Sequence, residues 1–190
     1  MAGHFRLPGA AQLGPLRQGT LSRLCGMYSV INAIRLLLHP RQLSKPQLHD
    51  LYLTGIRYLS KKRLLQHVLE TGMEEDIWLG LADALAEHVN QCMGMSILVR
   101  KILRGGALSS RLRALQVVRR TMRTGSPIIA GFGGTHHHYT VLAGYTDQSL
   151  LLCDSSGLRW LAWKRVGLEG VGERPHQLHA DSVSVLVRDW

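Results

Sequence analysis

Between Cys25 and Leu38 the chain reads CGMYSVINAIRLLL, a run apolar on almost every side that Pro40 halts just after His39. A helix hydrophobic all round cannot lie on a surface and has to be enclosed. The run therefore predicts a helix at the centre of the molecule, and the rest of the chain must supply layers that cover it. The residue that opens this helix is a cysteine.

The covering material falls into two halves. Ser44, with Pro46 and Gln47 behind it, reads as a helix start, and that helix is predicted to end near Gly55. A short helix is expected over 60–70, closed by Gly72. A longer one is expected from Glu74 to about Cys92, with Glu74, Glu75 and Asp76 at its positive end and Gly94 closing it. Ser96 to Leu103 reads as a strand ended by Gly105-Gly106. The stretch 109–123 is amphipathic, with Leu112, Leu115, Val118 and Met122 on one face and Arg113, Gln116, Arg120 and Arg123 on another. After Gly125 and Pro127 the pattern changes to short β-like runs: PIIAGFGG, HYTVLAGY, SLLLCD, RWLAWKRV and SVSVLVRDW. Helices first and strands later, with short turns, predict a single α+β domain with an antiparallel sheet. Its parts are an irregular arm over 1–20, a helical half over 41–123 and a β-rich half over 127–190. There is no internal repeat and no low-complexity segment.

The first 20 residues lack the apolar block of a secretory signal. No stretch approaches the roughly 20 apolar residues of a membrane-crossing helix. These features predict a soluble, cytoplasmic protein. Three widely spaced cysteines, Cys25, Cys92 and Cys153, with no Cys-x-x-Cys pair, predict neither a disulfide framework nor a zinc site. The chain carries 23 Lys and Arg against 13 Asp and Glu, for a formal charge of +10. That balance favours anionic partners, an acidic protein among them, without identifying one.

Chemistry concentrates at three places. Cys25 sits where a loop becomes a helix, and the unpaired N–H groups and partial positive charge there stabilise a thiolate. Gly26 beside it is expected to leave room for a substrate backbone. Seven residues upstream, the amide of Gln18 can donate to a developing oxyanion, with the Cys25 N–H as second donor. In the strand HHHYTVLAGY, alternation puts His138, Thr140 and Leu142 on one face and Tyr139, Val141 and Ala143 on the other. A nucleophilic cysteine needs a base, and the base needs an orienting partner. His138 is the candidate base. Asp154, returned by a turn at 146–149, is the candidate orienter, ahead of Asp147, which lies in the turn itself. Of His136, His137 and His138, only His136 and His138 share a face, and no further His or Cys completes a metal set. His136 and His137 are read as a polar rim on the cleft. No cofactor and no metal are expected.

Gln18, then Cys25-Gly-Met-Tyr-Ser, then His138-Tyr-Thr-Val-Leu-Ala-Gly-Tyr145, then Asp154 in LLLCDSSG, make a set of short motifs over about 140 residues. This set resembles the papain-like cysteine peptidases, and within them the bacterial double-glycine leader peptidases and their stand-alone relatives. The resemblance implies a papain-like fold, with a central helix carrying the cysteine packed on an antiparallel sheet. It also implies a thiol protease in which Cys25 is the nucleophile, His138 the base, Asp154 the orienter and Gln18 the oxyanion donor. The implied substrate is a peptide or protein tail ending in small residues of the Gly-Gly kind, while the basic charge balance by itself points to an acidic substrate. The helical middle, 41–123, has no counterpart in the resemblance. Two other functions remain open: a papain-like binding or regulatory protein without catalysis, and a nucleic-acid-binding module working through Arg113, Arg120 and Arg123. The oligomeric state is not legible.

Overall fold

The apolar run forms helix α1, Cys25–Leu37, and nine of its thirteen residues are buried. Its polar residues are satisfied internally, as buried polar groups must be. Ser29 Oγ donates to the Gly26 carbonyl at 2.7 Å. The Asn32 amide accepts from the Leu16 N–H at 2.8 Å and donates to the Leu16 carbonyl at 3.2 Å. Arg35 reaches the Gly14 carbonyl at 2.9 Å. Asn32 and Arg35 thus pin the N-terminal arm along the central helix. The chain is seen here in a computed structural model that describes residues 3–19, 23–104, 109–135 and 137–189. Gly105-Gly106 and His136 lie outside the described residues.

One side of α1 is covered by α2 (Lys45–Lys61), α3 (Leu65–Thr71) and α4 (Glu75–Met93). Ser44 and Gln47 cap α2 reciprocally, through Ser44 N–H to Gln47 Oε1 at 2.9 Å and Gln47 N–H to Ser44 Oγ at 3.4 Å. The helix does not stop at Gly55. Met27 of α1 packs straight against that position, where a Cβ would collide with its sulfur, so Gly55 permits close approach of two helices. The expected 60–70 helix is correspondingly divided: its first residues finish α2, the chain turns at Arg63 with φ 59, and α3 covers the remainder. Glu74, Glu75 and Asp76 open α4, and Gly94 closes it in the left-handed conformation.

The sheet contains β1 (Phe5–Arg6), β2 (Ile97–Lys101), β3 (Ile128–Gly134), β4 (His138–Tyr145), β5 (Ser149–Cys153), β6 (Trp160–Ala162), β7 (Val166–Leu168), β8 (His176–Leu178) and β9 (Ser184–Arg188). Its main path runs β2-β9-β3-β4-β5-β6, with β1 on β4 and β8 on β3. Every pairing is antiparallel except β7 with β8. The molecule is thus α+β with an antiparallel sheet. Ile129, Val141, Ala143 and Cys153 face the core shared with the four helices. Ile128, Ala130, Phe132 and Leu142 face a second core, closed by α5 (Arg111–Met122). Burial on both faces is why these strands read as continuous apolar runs instead of alternating ones. On α5 the inward face is Ala114, Leu115, Val118 and Met122. Leu112, expected to be inward, is 68% exposed. The 1–20 arm is not wholly irregular, because Phe5 and Arg6 pair with Tyr145 and Gly144. Among the described residues no helix is long and apolar enough to cross a membrane.

Candidate active site

Cys25 is the first residue of α1, and the N-cap position before it is Leu24, whose side chain has no oxygen to cap the helix. The helix N-terminus is therefore left to the thiol, and the Gly26 and Tyr139 backbone N–H groups donate to it. Gly26 does not make room for substrate. A Cβ there would fall 2.9 Å from both Met73 Sδ and Trp78 Cδ1, so the missing side chain is what lets α4 close on the start of α1. Trp78, fully buried, donates from Nε1 to the Gly26 carbonyl at 3.3 Å. Its indole stacks on Tyr139 at 5.3 Å with 9° between planes. One tryptophan thus clamps the first turn of the cysteine's helix to the start of the histidine's strand.

His138 opens β4 and is 8% exposed; Asp154, just past β5, is 1% exposed. Their juxtaposition depends on a β-bulge. Near the turn Tyr145 opposes Leu150 and Gly144 opposes Leu151, but beyond it Leu142 opposes Leu152 and Val141 opposes Cys153. One extra residue, Ala143, is accommodated on β4. Without it Asp154 would oppose Val141 and point into the helix-side core. With it Asp154 falls opposite Thr140, on the same face as His138. The arm holds the bulge in place: the Leu7 N–H donates to the Ala143 carbonyl at 2.8 Å, and Phe5 O lies where a Gly144 Cβ would be.

His138 Nε2 lies 2.8 Å from Asp154 Oδ2, and the same imidazole hydrogen-bonds the Cys25 thiol. The second carboxylate oxygen is held by the following turn. Asp154 Oδ1 accepts from the Ser156 N–H at 2.8 Å, Ser156 Oγ at 2.5 Å and the Gly157 N–H at 3.1 Å. Burial pushes the Cys25 thiol up, but the His138 hydrogen bond and charge, with the two backbone N–H groups, outweigh it and the thiol is lowered. Burial lowers His138, but Asp154 and Cys25 overcome it and carry the imidazole up to about 9. Burial raises Asp154, yet the His138 contact and the Ser156 and Thr140 hydroxyls hold it well below the usual carboxylate range. All three shifts favour a thiolate, an imidazolium and a carboxylate side by side.

Cys25 and His138 open on a cleft of about 370 Å³, bounded on one side by residues 71–75 and on the other by Gly131, Glu169, His179 and Asp181. Glu74 pairs with His67 at 3.0 Å, Glu75 with Lys101, and Glu169 with His179 at 2.6 Å. The cleft is thus rich in carboxylates although the chain as a whole is basic. Gln18 is half-buried. Its N–H donates to the Ser155 carbonyl at 3.2 Å, its Oε1 is buried and meets no donor among the described residues, and it does not line the cleft. His137 stands at the cleft rim, exposed. Asp147 lies exposed in the β4–β5 turn. Among the described residues no group of three metal-ligating side chains lies in the cleft. Arg113 and Arg120 on α5 and Arg123 just past its end are all exposed, and Arg123 also donates to the Tyr145 hydroxyl at 2.6 Å.

The sequence pattern reached Cys25, His138 and Asp154. It missed Trp78, whose signal would have been only a tryptophan on the inward face of an amphipathic helix, and the cleft wall formed by residues 169–182. No protein-family model and no curated protein matches the chain.

Proposed function

We propose that the protein is a papain-like cysteine hydrolase that cleaves an amide or thioester bond in a peptide or protein tail through an acyl-enzyme on Cys25. The observation that carries this reading is His138 held between the Cys25 thiol and Asp154 at a cleft. The order Gln18, Cys25, His138, Asp154 along the chain, and the resemblance to the double-glycine leader peptidases, support it further. The thiolate attacks the carbonyl carbon, and the oxyanion is stabilised by the Cys25 N–H; Gln18, which does not line the cleft, serves as second donor by turning its amide inward. The His138 imidazolium protonates the departing nitrogen or sulfur. Neutral His138 then takes a proton from water, whose oxygen releases the acyl group, and the thiolate–imidazolium pair is restored. The carboxylates around the cleft favour a neutral or basic segment next to the scissile bond, so any attraction of an acidic partner belongs to the basic surface elsewhere.

A peptide library digested by wild type and by Cys25→Ala and read by mass spectrometry tests this. Products from wild type alone are expected, together with a covalent adduct on Cys25 from a peptidyl aldehyde (a thiohemiacetal) or a peptidyl vinyl sulfone (a thioether). Cleavage undiminished in Cys25→Ala excludes the mechanism. No cleavage, with no adduct in either protein, favours a binding role.

A further inference from the structure

We propose that Asp50, His88 and Cys92 form a zinc-binding site that joins α2 to α4. It is independent of the hydrolase reading: Cys92 is 17 residues beyond Glu75 at the cleft, about 25 Å along the helix axis.

His88 and Cys92 are separated by one helical turn and lie on the same face of α4. Asp50 meets them from α2. Asp50 Oδ2 is 2.8 Å from His88 Nε2, and Cys92 Sγ is 3.7 Å from the same nitrogen. All three donor atoms lie within 4.8 Å of one another. Tetrahedral zinc, with Zn–N and Zn–O near 2.1 Å and Zn–S near 2.3 Å, separates sulfur from nitrogen by about 3.6 Å and oxygen from nitrogen by about 3.4 Å. The Cys–His spacing already matches. Asp50 has to withdraw Oδ2 by about half an ångström, and the sulfur has to close on it by about one; the larger movement falls on Cys92, which is exposed.

The surroundings suit the ion. Arg57 Nη2 donates to Asp50 Oδ1 at 3.2 Å, which orients the carboxylate and leaves Oδ2 for the metal. A cavity of about 70 Å³ adjoins the three donors, bounded also by Gln47, Leu51 and Val89, and provides space for a water as fourth ligand. One thiolate, one imidazole and one carboxylate suit zinc better than magnesium or calcium. Binding releases the Cys92 thiol proton and separates the Asp50–His88 pair. The absence of a Cys-x-x-Cys pair had argued against zinc, but His88-x-x-x-Cys92 is a two-ligand spacing as soon as the segment is helical.

The test uses the full chain carrying Cys25→Ser, so that the active-site thiol does not compete. Zinc is titrated against a chromogenic chelator, and cobalt(II) is added to a parallel sample. One equivalent of zinc is expected, with a thiolate-to-cobalt absorption band in the near ultraviolet and a Tm that climbs with zinc concentration. Adding Cys92→Ser should abolish the band. Adding His88→Ala or Cys92→Ser should weaken zinc binding by more than the roughly 10–100-fold that loss of a mere outer-shell partner costs, with the far-UV circular dichroism unchanged. Maleimide labelling of Cys92 should slow when zinc is present. No zinc binding, binding equally tight in both variants, or Cys92 labelling indifferent to zinc overturns the proposal.

Discussion

Cys25 and Cys153 are both largely enclosed, yet their thiols move in opposite directions. Cys153, on β5, faces the helix-side core at 5% exposure, and burial pushes it up to about 11. Asp154 is its sequence neighbour but points to the opposite face of the sheet. Cys25 experiences the same opposing burial and is nevertheless lowered, because an imidazole and two backbone N–H groups converge on it. Burial by itself silences a thiol; what makes one reactive is the set of donors built around it.

The contrast can be broken in graded steps. Removing the imidazole should make Cys25 behave like Cys153: His138→Ala should lower kcat/KM by about 10²–10⁴-fold on a cleaved peptide, and iodoacetamide labelling of Cys25 should need a higher pH than in wild type. Gln18→Ala leaves the thiolate intact and removes a transition-state donor, so its expected cost is about 2.7–4 kcal/mol in kcat with labelling unchanged. A kcat equal to wild type would remove Gln18 from the oxyanion role. Ser156→Ala takes one of several hydrogen bonds from Asp154 Oδ1. It should cost about 1 kcal/mol of stability in denaturant unfolding, and the Cys25 labelling profile should move only slightly.

The sign of the pH dependence follows from the same groups. His138 is raised above its unfolded value, so the stabilisation from its pairing is fully present below about 6.5 and is lost as pH rises through about 9. Asp154 is depressed, so its contribution is present above about 3.9 and is lost on acidification. Turnover should accordingly rise as Cys25 ionises and fall again near 9, with both limbs belonging to the coupled pair.

Much of this frame was legible before any coordinates. The enclosed helix, the capped start of α2 and the runs that became β3, β4 and β5 each carry a strong local pattern, and the chain order of Cys25, His138 and Asp154 reduced the choice of site. What stayed hidden depends on contacts between distant segments. Gly55 reads as a helix stop unless Met27 is known to lie against it, and Gly26 reads as open space until Met73 and Trp78 fill it. Leu112 satisfies helical spacing but lies just outside the arc that the sheet covers. β1 and β8 are too short to give a period. The bulge at Ala143 is hinted at only by Gly144 beside it, a cue shared with close backbone approach, although it decides which face Asp154 occupies.

Whether the pairing of His138 with Cys25 sets the thiol's character is tested most directly by the rate of iodoacetamide labelling at each cysteine, resolved by mass spectrometry across pH, in wild type and His138→Ala. The account predicts that wild-type Cys25 reacts at lower pH than an ordinary thiol and changes its behaviour near pH 9 as the imidazolium is lost, while Cys153 stays inert until the pH approaches 11. In His138→Ala, the Cys25 profile should move up to that of an ordinary thiol. A Cys25 that labels only above about pH 8.5, with the same profile in both proteins, would contradict it.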